Sequence, residues 1–300
     1  MNQPKVSIVI PTFNRKKDLI DVINAVKKWN YTNYEFIIVD DASTDWTKEE
    51  LNRLFPEIKI IVNTKNMWAS YSRNIWMKNI SEDVEYILLL DSDVIIDPDA
   101  ISWLVDVLAS NPEYGAATGK IYFDEDHQLI QRAGTSVGLY TGMNYGRWGK
   151  DVWQYEKIEE IQWAGAIMMI KTEIIEKVWF YDEVYFIYYE DADYSLRIWK
   201  AGYKIVYVPN SVFYHRYPIL DQKSNDARFL SHLYLSSRNK IIFMKKHAKS
   251  FLVFLLYFPI YPAFYTYKCI KYRDFKAFKN FWRGIFDGFA YVFTKKIPQR

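Results

Sequence analysis

The 300-residue chain is poor in the residues that staple or ligate: it has one cysteine, Cys269, and four histidines. A single thiol excludes an intramolecular disulfide framework, and no Cys/His pairs fall at zinc-finger spacing, so a reducing compartment is expected. Internal repeats and low-complexity segments are absent. The first strand-like run, KVSIVIP from Lys5, lacks the charged start, long apolar stretch and cleavage site of a signal peptide, which predicts a cytosolic N-terminal part. Apolar residues, by contrast, are abundant. At 50% hydrophobic and 18% aromatic content, the chain suffices for one large packed domain, or one domain with an appendage, and is not a disordered polymer.

Net charge is only +3, but it is unevenly placed. From Arg238 to Arg300, 14 Lys and Arg face two acids, Asp274 and Asp287, a balance of +12 that leaves about −9 for residues 1–237. An acidic body with a basic tail rich in Phe, Tyr and Trp points to an anionic surface as partner.

Along residues 5–110, short aliphatic runs alternate with helical patterns: VSIVIP, YEFIIVDD, IKIIVN and YILLLDSD are each followed by an amphipathic segment. Such alternation predicts a mostly parallel sheet covered by helices on both faces, with ligands beyond the carboxyl ends of its strands. Asp40, Asp41, Asp91 and Asp93 all fall at such ends. Ser43 or Thr44 is expected to cap the helix that follows, and Asp97-Pro98 to open another. Residues 115–150, with several glycines, predict antiparallel strands and loops. IQWAGAIMMI predicts a strand, YYEDADYSLRIWKAG a helix that starts acidic and ends at Gly202, and YKIVYVP a short strand.

Three constellations carry chemistry. In LLLDSDVIID, residues 88–97, an aliphatic run ends on two aspartates one residue apart, and a desolvated carboxylate is costly unless something pairs with it. In an extended backbone Asp91 and Asp93 face the same side, so they can converge on a divalent cation; magnesium or manganese, shared with substrate phosphates, suits such hard oxygen ligands. Alternatively, one aspartate caps the next helix and the other is merely exposed. VDDASTD places further carboxylates at a neighbouring strand end, where they suit a nucleotide's base or ribose, or else form an ordinary strand-to-helix connection. Glu190, Asp191 and Asp193 occupy the first turn of a helix, whose dipole favours their ionised form. They either stabilise that helix or provide a general base. His215 follows VPNSVFY and is either structural or a metal ligand returning to the same cleft.

VSIVIPTFNR, IIVDDASTD, LLLDSDV, WAGAIMMI and EDADYSLRIWKAGYKIVYVP occur in the order and spacing of glycosyltransferase family 2. The resemblance covers about residues 5–216, and the last segment, with His215, is most similar to the galactofuranosyl and rhamnosyl transferase branch. It implies a GT-A fold, an α/β nucleotide-sugar-binding sheet joined to an acceptor-binding half. Residues 1–237 would form that domain, divided near residue 115, and residues 238–300 a helical tail. By the same resemblance Pro11, Thr12 and Asp41 line the base and ribose, with Arg73 and Asp91 also on the nucleotide-sugar side. Asp93 and His215 would ligate the manganese or magnesium ion. Asp191 would be the catalytic base, with Trp163, Gly165 and Glu190 on the acceptor side. The family pattern Asn-x-Gly-x-x-x-Ala-Arg-Asn-x-Gly is altered in NMWASYSRNIW: Asn66, Arg73 and Asn74 are kept, while Trp68 and Trp76 replace glycines.

The expected activity is inverting, metal-dependent transfer of a sugar from a nucleotide-sugar donor to a glycan or lipid-linked acceptor, at the inner face of the cell membrane. Nucleotidyl transfer, or a non-catalytic glycan- or membrane-binding protein on the same fold, are the alternatives. Residues 251–270 are long enough to span a bilayer but are interrupted by Pro259 and Pro262. Phe275, Phe278, Trp282, Ile285, Phe289 and Val292 recur at helical spacing beside Lys276, Lys279 and Arg283, which suits a helix lying among lipid headgroups. A single membrane span and packing on the body are the other options for this tail. No nucleic acid is expected as partner, because the basic residues come with aliphatic bulk and without an RNA- or DNA-binding module.

Overall fold

A computed structural model describes residues 3–165, 167–220 and 222–296. Ala166 of the WAGAIMMI segment and the last residues of the tail, 297–300, lie outside the described residues. The chain begins β1 (Val6–Thr12), α1 (Lys16–Val26), β2 (Tyr34–Asp40), α2 (Thr47–Leu54), β3 (Lys59–Val62), α3 (Trp68–Met77), β4 (Tyr86–Leu89), β5 (Val94–Ile96) and α4 (Ala100–Ser110). A strand-rich stretch follows: β6 (Tyr114–Phe123), β7 (Asp126–Arg132), β8 (Thr135–Val137), β9 (Asn144–Gly146), β10 (Gly149–Lys150), β11 (Glu159–Ile161) and β12 (Met168–Lys171). Next come α5 (Glu173–Val178), α6 (Glu190–Lys200) and β13 (Lys204–His215). The chain closes with α7 (Gln222–Ser231), α8 (Leu233–His247), α9 (Phe251–Tyr257), α10 (Ile260–Lys271) and α11 (Phe275–Thr294).

Successive side chains of a strand point to opposite faces, and both faces of this sheet are buried. Ile8, Ile10 and Ile38 pack on one side with Leu19, Leu51 and Leu104 of the first, second and fourth helices. Val9, Ile37 and Val39 pack on the other with Trp76, Ile174 and Ile198. The strands β4, β1, β2 and β3 are parallel neighbours. The sheet as a whole is nevertheless mixed, because β12 runs antiparallel to both β4 and β6, while β13 is parallel to β6. The expectation of a mostly parallel sheet is corrected accordingly: a strand buried on both faces has the same apolar pattern whichever way it runs.

Local expectations change in three places. Ser43 and Thr44 do not cap α2, which starts after Trp46 in a left-handed conformation without a side-chain cap. They bind Asn14 instead: its N–H donates to Ser43 Oγ (2.9 Å) and its Oδ1 accepts from the Thr44 N–H (2.7 Å). α4 likewise begins at Ala100, beyond Pro98. The strand from Lys204 is twice as long as YKIVYVP suggests, because it continues through Pro209 by a register shift to His215.

The expected boundary between residues 237 and 238 falls inside α8, a helix with Ser237, Arg238 and Asn239 all buried. α11 lies along α8, and Gly284 permits their close approach: a Cβ there would collide with Ser237 Oγ and the Tyr234 carbonyl. The stretch 251–270 is divided between α9 and α10, and among the described residues no helix is long and apolar enough to cross a membrane. The predicted apolar stripe of α11 is also divided. Ile285 and Val292 are buried with Phe281 and Leu233, whereas Phe275 and Phe278 of the stripe are exposed; Phe286 and Phe293, outside the predicted stripe, are exposed too, as are Leu252, Leu256 and Ile260 of α9 and α10.

Candidate active site

Parallel pairing brings the carboxyl ends of β1, β2 and β4 to one edge of the sheet, with Thr12 paired to Asp40. Asp91 and Asp93 meet there through a turn, not through the extended backbone expected from their spacing: the Val94 N–H donates to the Asp91 carbonyl (3.3 Å), and β5 starts at once. β13 is antiparallel to β5 with His215 opposite Val94, and that register delivers the imidazole to Asp93. His215 Nε2 lies 3.2 Å from Asp93 Oδ1. Its Nδ1 lies 2.7 Å from Gln131 Oε1 on β7, an acceptor for the ring N–H, so the imidazole is held between Gln131 and Asp93. Arg15 Nη2 approaches the other Asp93 oxygen at 3.7 Å. Burial raises the Asp93 pKa, but His215 and Arg15 outweigh it and hold the carboxyl below its ordinary value.

Arg73 of α3 joins this turn to the start of α6. Only 4% exposed, it donates from Nη1 to Glu190 Oε1 (2.9 Å), while Nη2 lies 3.5 Å from Asp91 Oδ1. Burial alone would lower the arginine's pKa; the charges around it, Glu190, Asp91 and Asp191 among them, raise it. Glu190 is as deeply buried, and its Oε2 has no hydrogen-bond partner. Desolvation and the neighbouring Asp191 charge push the Glu190 pKa up to about 7, against the pull of Arg73. Asp191 is 8% exposed, and its Oδ1 accepts from the Ala192 N–H (2.9 Å).

The segment before α6 is strained. Phe186, Tyr188 and Tyr189 have φ of 62°, 69° and 71°, a left-handed backbone that costs an L-residue roughly 1–2 kcal/mol each. Two helices hold it. From α3, Ser70 N–H and Oγ both donate to the Phe186 carbonyl (3.1 Å each), and Asn74 exchanges bonds with the Tyr181 backbone (2.8 and 2.9 Å). From α8, Asn239 Nδ2 lies 2.8–2.9 Å from the carbonyls of Tyr185, Ile187 and Tyr188, and Arg238 donates to Val184. Asp193, one turn into α6, is fully buried among Arg197, Lys246 and His247, which hold its pKa well below the usual range despite desolvation.

The remaining expected residues are placed as follows. Pro11 and Thr12 end β1, and Thr12 Oγ1 is buried without a partner. The Asp41 carboxylate is committed within the protein: it accepts from Asn63 Nδ2 (2.7 Å) and from the Met67 and Trp68 N–H groups (2.8 Å each). Trp68 keeps φ 70°, the conformation glycine favours, although a bulky residue stands there. Trp163 packs beside Tyr189 and Ala192, and Gly165 has φ 87°. The fold thus pairs Asp93 with His215 and Arg15, and links Asp91 through Arg73 to Glu190; Asp91 and Asp93 share one turn, and Glu190 and Asp191 one helix start. Gln131, Arg15 and Asn239 were missed by sequence reasoning. Arg15 stands in the first quoted motif, but Gln131 lies 84 positions from His215 and had no local signal.

Two protein groups suit a divalent cation. Their 3.2 Å separation matches adjacent ligands at ~2.1 Å from one ion, which lie ~3 Å apart in octahedral geometry. The Gln131 contact is the kind of outer partner that orients a ligating histidine. No group of three or more His, Cys, Asp or Glu is assembled as a metal cage among the described residues, so the other positions would fall to phosphate oxygens and water, as magnesium sites commonly arrange.

Residues 7–179 match the family model described as glycosyl transferase family 2. A Mycobacterium tuberculosis (strain CDC 1551 / Oshkosh) protein, N-acetylglucosaminyl-diphospho-decaprenol L-rhamnosyltransferase, is 24% identical over 201 residues, 60% of this chain and 65% of its own length. The chain therefore spans just under two thirds of that relative. Among solved structures, GalNAc-T7 with UDP, GalNAc and Mn2+ superposes with a TM-score of 0.61 at 17% identity, covering 83% of this chain and 52% of the other. S. aureus TarS 1-349 gives 0.60 at 14% identity, covering 98% and 82%. Both likenesses show the fold.

The buried Glu190 makes a pH prediction. Its folded pKa lies above its ordinary 4.5, so its stabilising contribution is complete below about pH 4.5 and is lost as pH rises through about 7. The unfolding free energy of the wild type relative to Glu190→Gln should fall between about pH 5 and about pH 8 in urea titrations. A difference constant across that range would contradict the assignment.

Proposed function

This chain belongs to glycosyl transferase family 2, whose model matches more than half of its length, and on that premise we propose that it is an inverting glycosyltransferase. It moves a sugar from a nucleotide-sugar donor to a hydroxyl of a glycan or lipid-linked acceptor. The observation that supports this reading is the buried Arg73 guanidinium, which bridges Asp91 to Glu190, the neighbour of Asp191, while Asp93, two residues from Asp91, pairs with His215.

Asp191, at the start of α6, serves as the general base: its Oδ1 accepts from its neighbouring N–H, and among the described residues it makes no ion pair. It takes the proton of the acceptor hydroxyl, which attacks the anomeric carbon opposite the departing diphosphate. One displacement inverts the configuration. The Arg73–Glu190 pair anchors the residue next to Asp191, and Arg15, exposed beside Asp93, meets the donor's phosphates. A manganese or magnesium ion held by Asp93 and His215 would stabilise the charge that develops on the leaving group. The relative from M. tuberculosis is named for a decaprenol-linked acceptor, which supports a lipid-linked acceptor here.

The tail supports attachment to the inner face of the cell membrane. Leu252 and Leu256 are 76% and 79% exposed, and Phe275, Phe286 and Phe293 are exposed on α11. Lys276 and Lys279 of α11 would add about 1 kcal/mol each against anionic lipid. A side of this kind lies in the headgroup layer.

Two measurements test the reading. Asp191→Asn should lower sugar transfer about 10²–10⁴-fold while leaving manganese-dependent nucleotide binding unchanged; transfer at the normal rate would remove the base assignment. The full chain should float with phosphatidylglycerol vesicles, and the Leu252→Asp, Leu256→Asp double variant should not; equal flotation would remove the tail's role.

A further inference from the structure

Arg132, the last residue of β7, is a half-buried guanidinium in a shaped cradle. Its Cζ sits 5.5 Å from the Trp163 ring, a cation–π contact, and it passes directly over Gly165. Gly165 holds φ 87°, and a Cβ added there would collide with Arg132 Nη1, so both the backbone and the missing side chain make room for the cation. Among the described residues no carboxylate pairs with Arg132, in contrast to Arg15, Arg73, Arg147, Arg197 and Arg216. The Trp163 indole N–H beside it is buried and also lacks an acceptor.

The location is informative. Gln131, the preceding residue, binds His215, and β12 pairs Met168 with Leu89, which brings the segment containing Gly165 to the carboxyl end of β4 and hence to Asp91. Trp163 packs with Tyr189 and Ala192 at the start of α6, in the cluster that includes Phe254 of α9. Arg132 itself contacts Trp163 and Gly165, and through Trp163 it adjoins the cluster at the start of α6 and α9.

We propose that Arg132, cradled by Trp163 and Gly165, binds a phosphate group carried by the acceptor. This deepens the glycosyltransferase reading and rests on it. A guanidinium offers a planar fork of N–H donors that matches phosphate oxygens, and an uncompensated, partly desolvated one is poised for an anion. Trp163 fixes its plane. A phosphate bound here sets which acceptor hydroxyl reaches Asp191.

The test compares the full chain with Arg132→Gln and Arg132→Lys by calorimetric titration, using farnesyl phosphate and glycerol 3-phosphate as probes and UDP, GDP and dTDP with manganese as donor-side controls. Arg132→Gln should weaken whichever phosphate ester the wild type binds about tenfold or more, Arg132→Lys should retain part of the affinity, and nucleotide binding should not change. Tighter binding of farnesyl phosphate identifies a lipid-linked source, and tighter binding of glycerol 3-phosphate a glycan phosphate. Equal ester binding by wild type and Arg132→Gln overturns the proposal, as does absence of ester binding by the wild type. Weakened nucleotide binding overturns it too, by moving Arg132 to the donor side. Manganese-dependent nucleotide binding that persists in all three proteins leaves the transferase reading standing whichever way the ester result falls.

Discussion

The arrangement depends on one buried cation. Arg73 has lost nearly all contact with water, and a guanidinium so placed is tolerable only because carboxylates surround it: Glu190 at 2.9 Å and Asp91 at 3.5 Å, with the Asp191 charge also acting on it. Those acids come from β4 and α6, elements separated by about a hundred residues. In the absence of Arg73, two or three carboxylates in one dry cleft would repel one another and protonate. With it, they remain gathered, so the charge that burdens the fold is the charge the chemistry uses. Glu190, with one oxygen unpartnered, is where that compromise is least complete.

The second constraint is mechanical. Three bulky residues in left-handed conformation precede α6, and they persist only because α3 and α8 grip the segment from two sides. Asp193 and its ring of Arg197, Lys246 and His247 then fasten α6 to α8. α8, which composition alone assigns to a tail, is thereby part of the device that aims Asp191. Helices α9 to α11 pack with the same helix, so the surface proposed to dock on lipid is joined to the start of the proposed catalytic helix.

Much of this was legible in the sequence, and the reasons for the rest are specific. Aspartates at the ends of aliphatic runs marked one edge of the sheet, since strand ends and pattern breaks are local properties. His215 could be suspected from its distance along the chain, but its meeting with Asp93 follows from the register of β13 on β5, which no local pattern encodes. The turn at Asp91 to Asp93 was hidden because extended and turned backbones both bring these carboxylates close. Asp41 resembles a nucleotide contact by motif, yet its oxygens are occupied by Asn63 and the start of α3, a partnership visible only in three dimensions. The boundary expected between domain and tail after residue 237 rests on a change in charge composition, and α8 runs across that point. In α11, periodicity revealed an apolar helix but not which of its apolar residues α8 would cover.

The most direct measurement is a double-mutant cycle on stability with Arg73→Met and Glu190→Gln, followed by urea denaturation at neutral pH. Arg73→Met alone should cost about 3–5 kcal/mol, because it strands buried carboxylates, and the double variant should recover a large part of that loss. If the two single effects simply add to within about 0.5 kcal/mol, Arg73 and Glu190 are not coupled, and the buried cation does not hold the acidic cleft together.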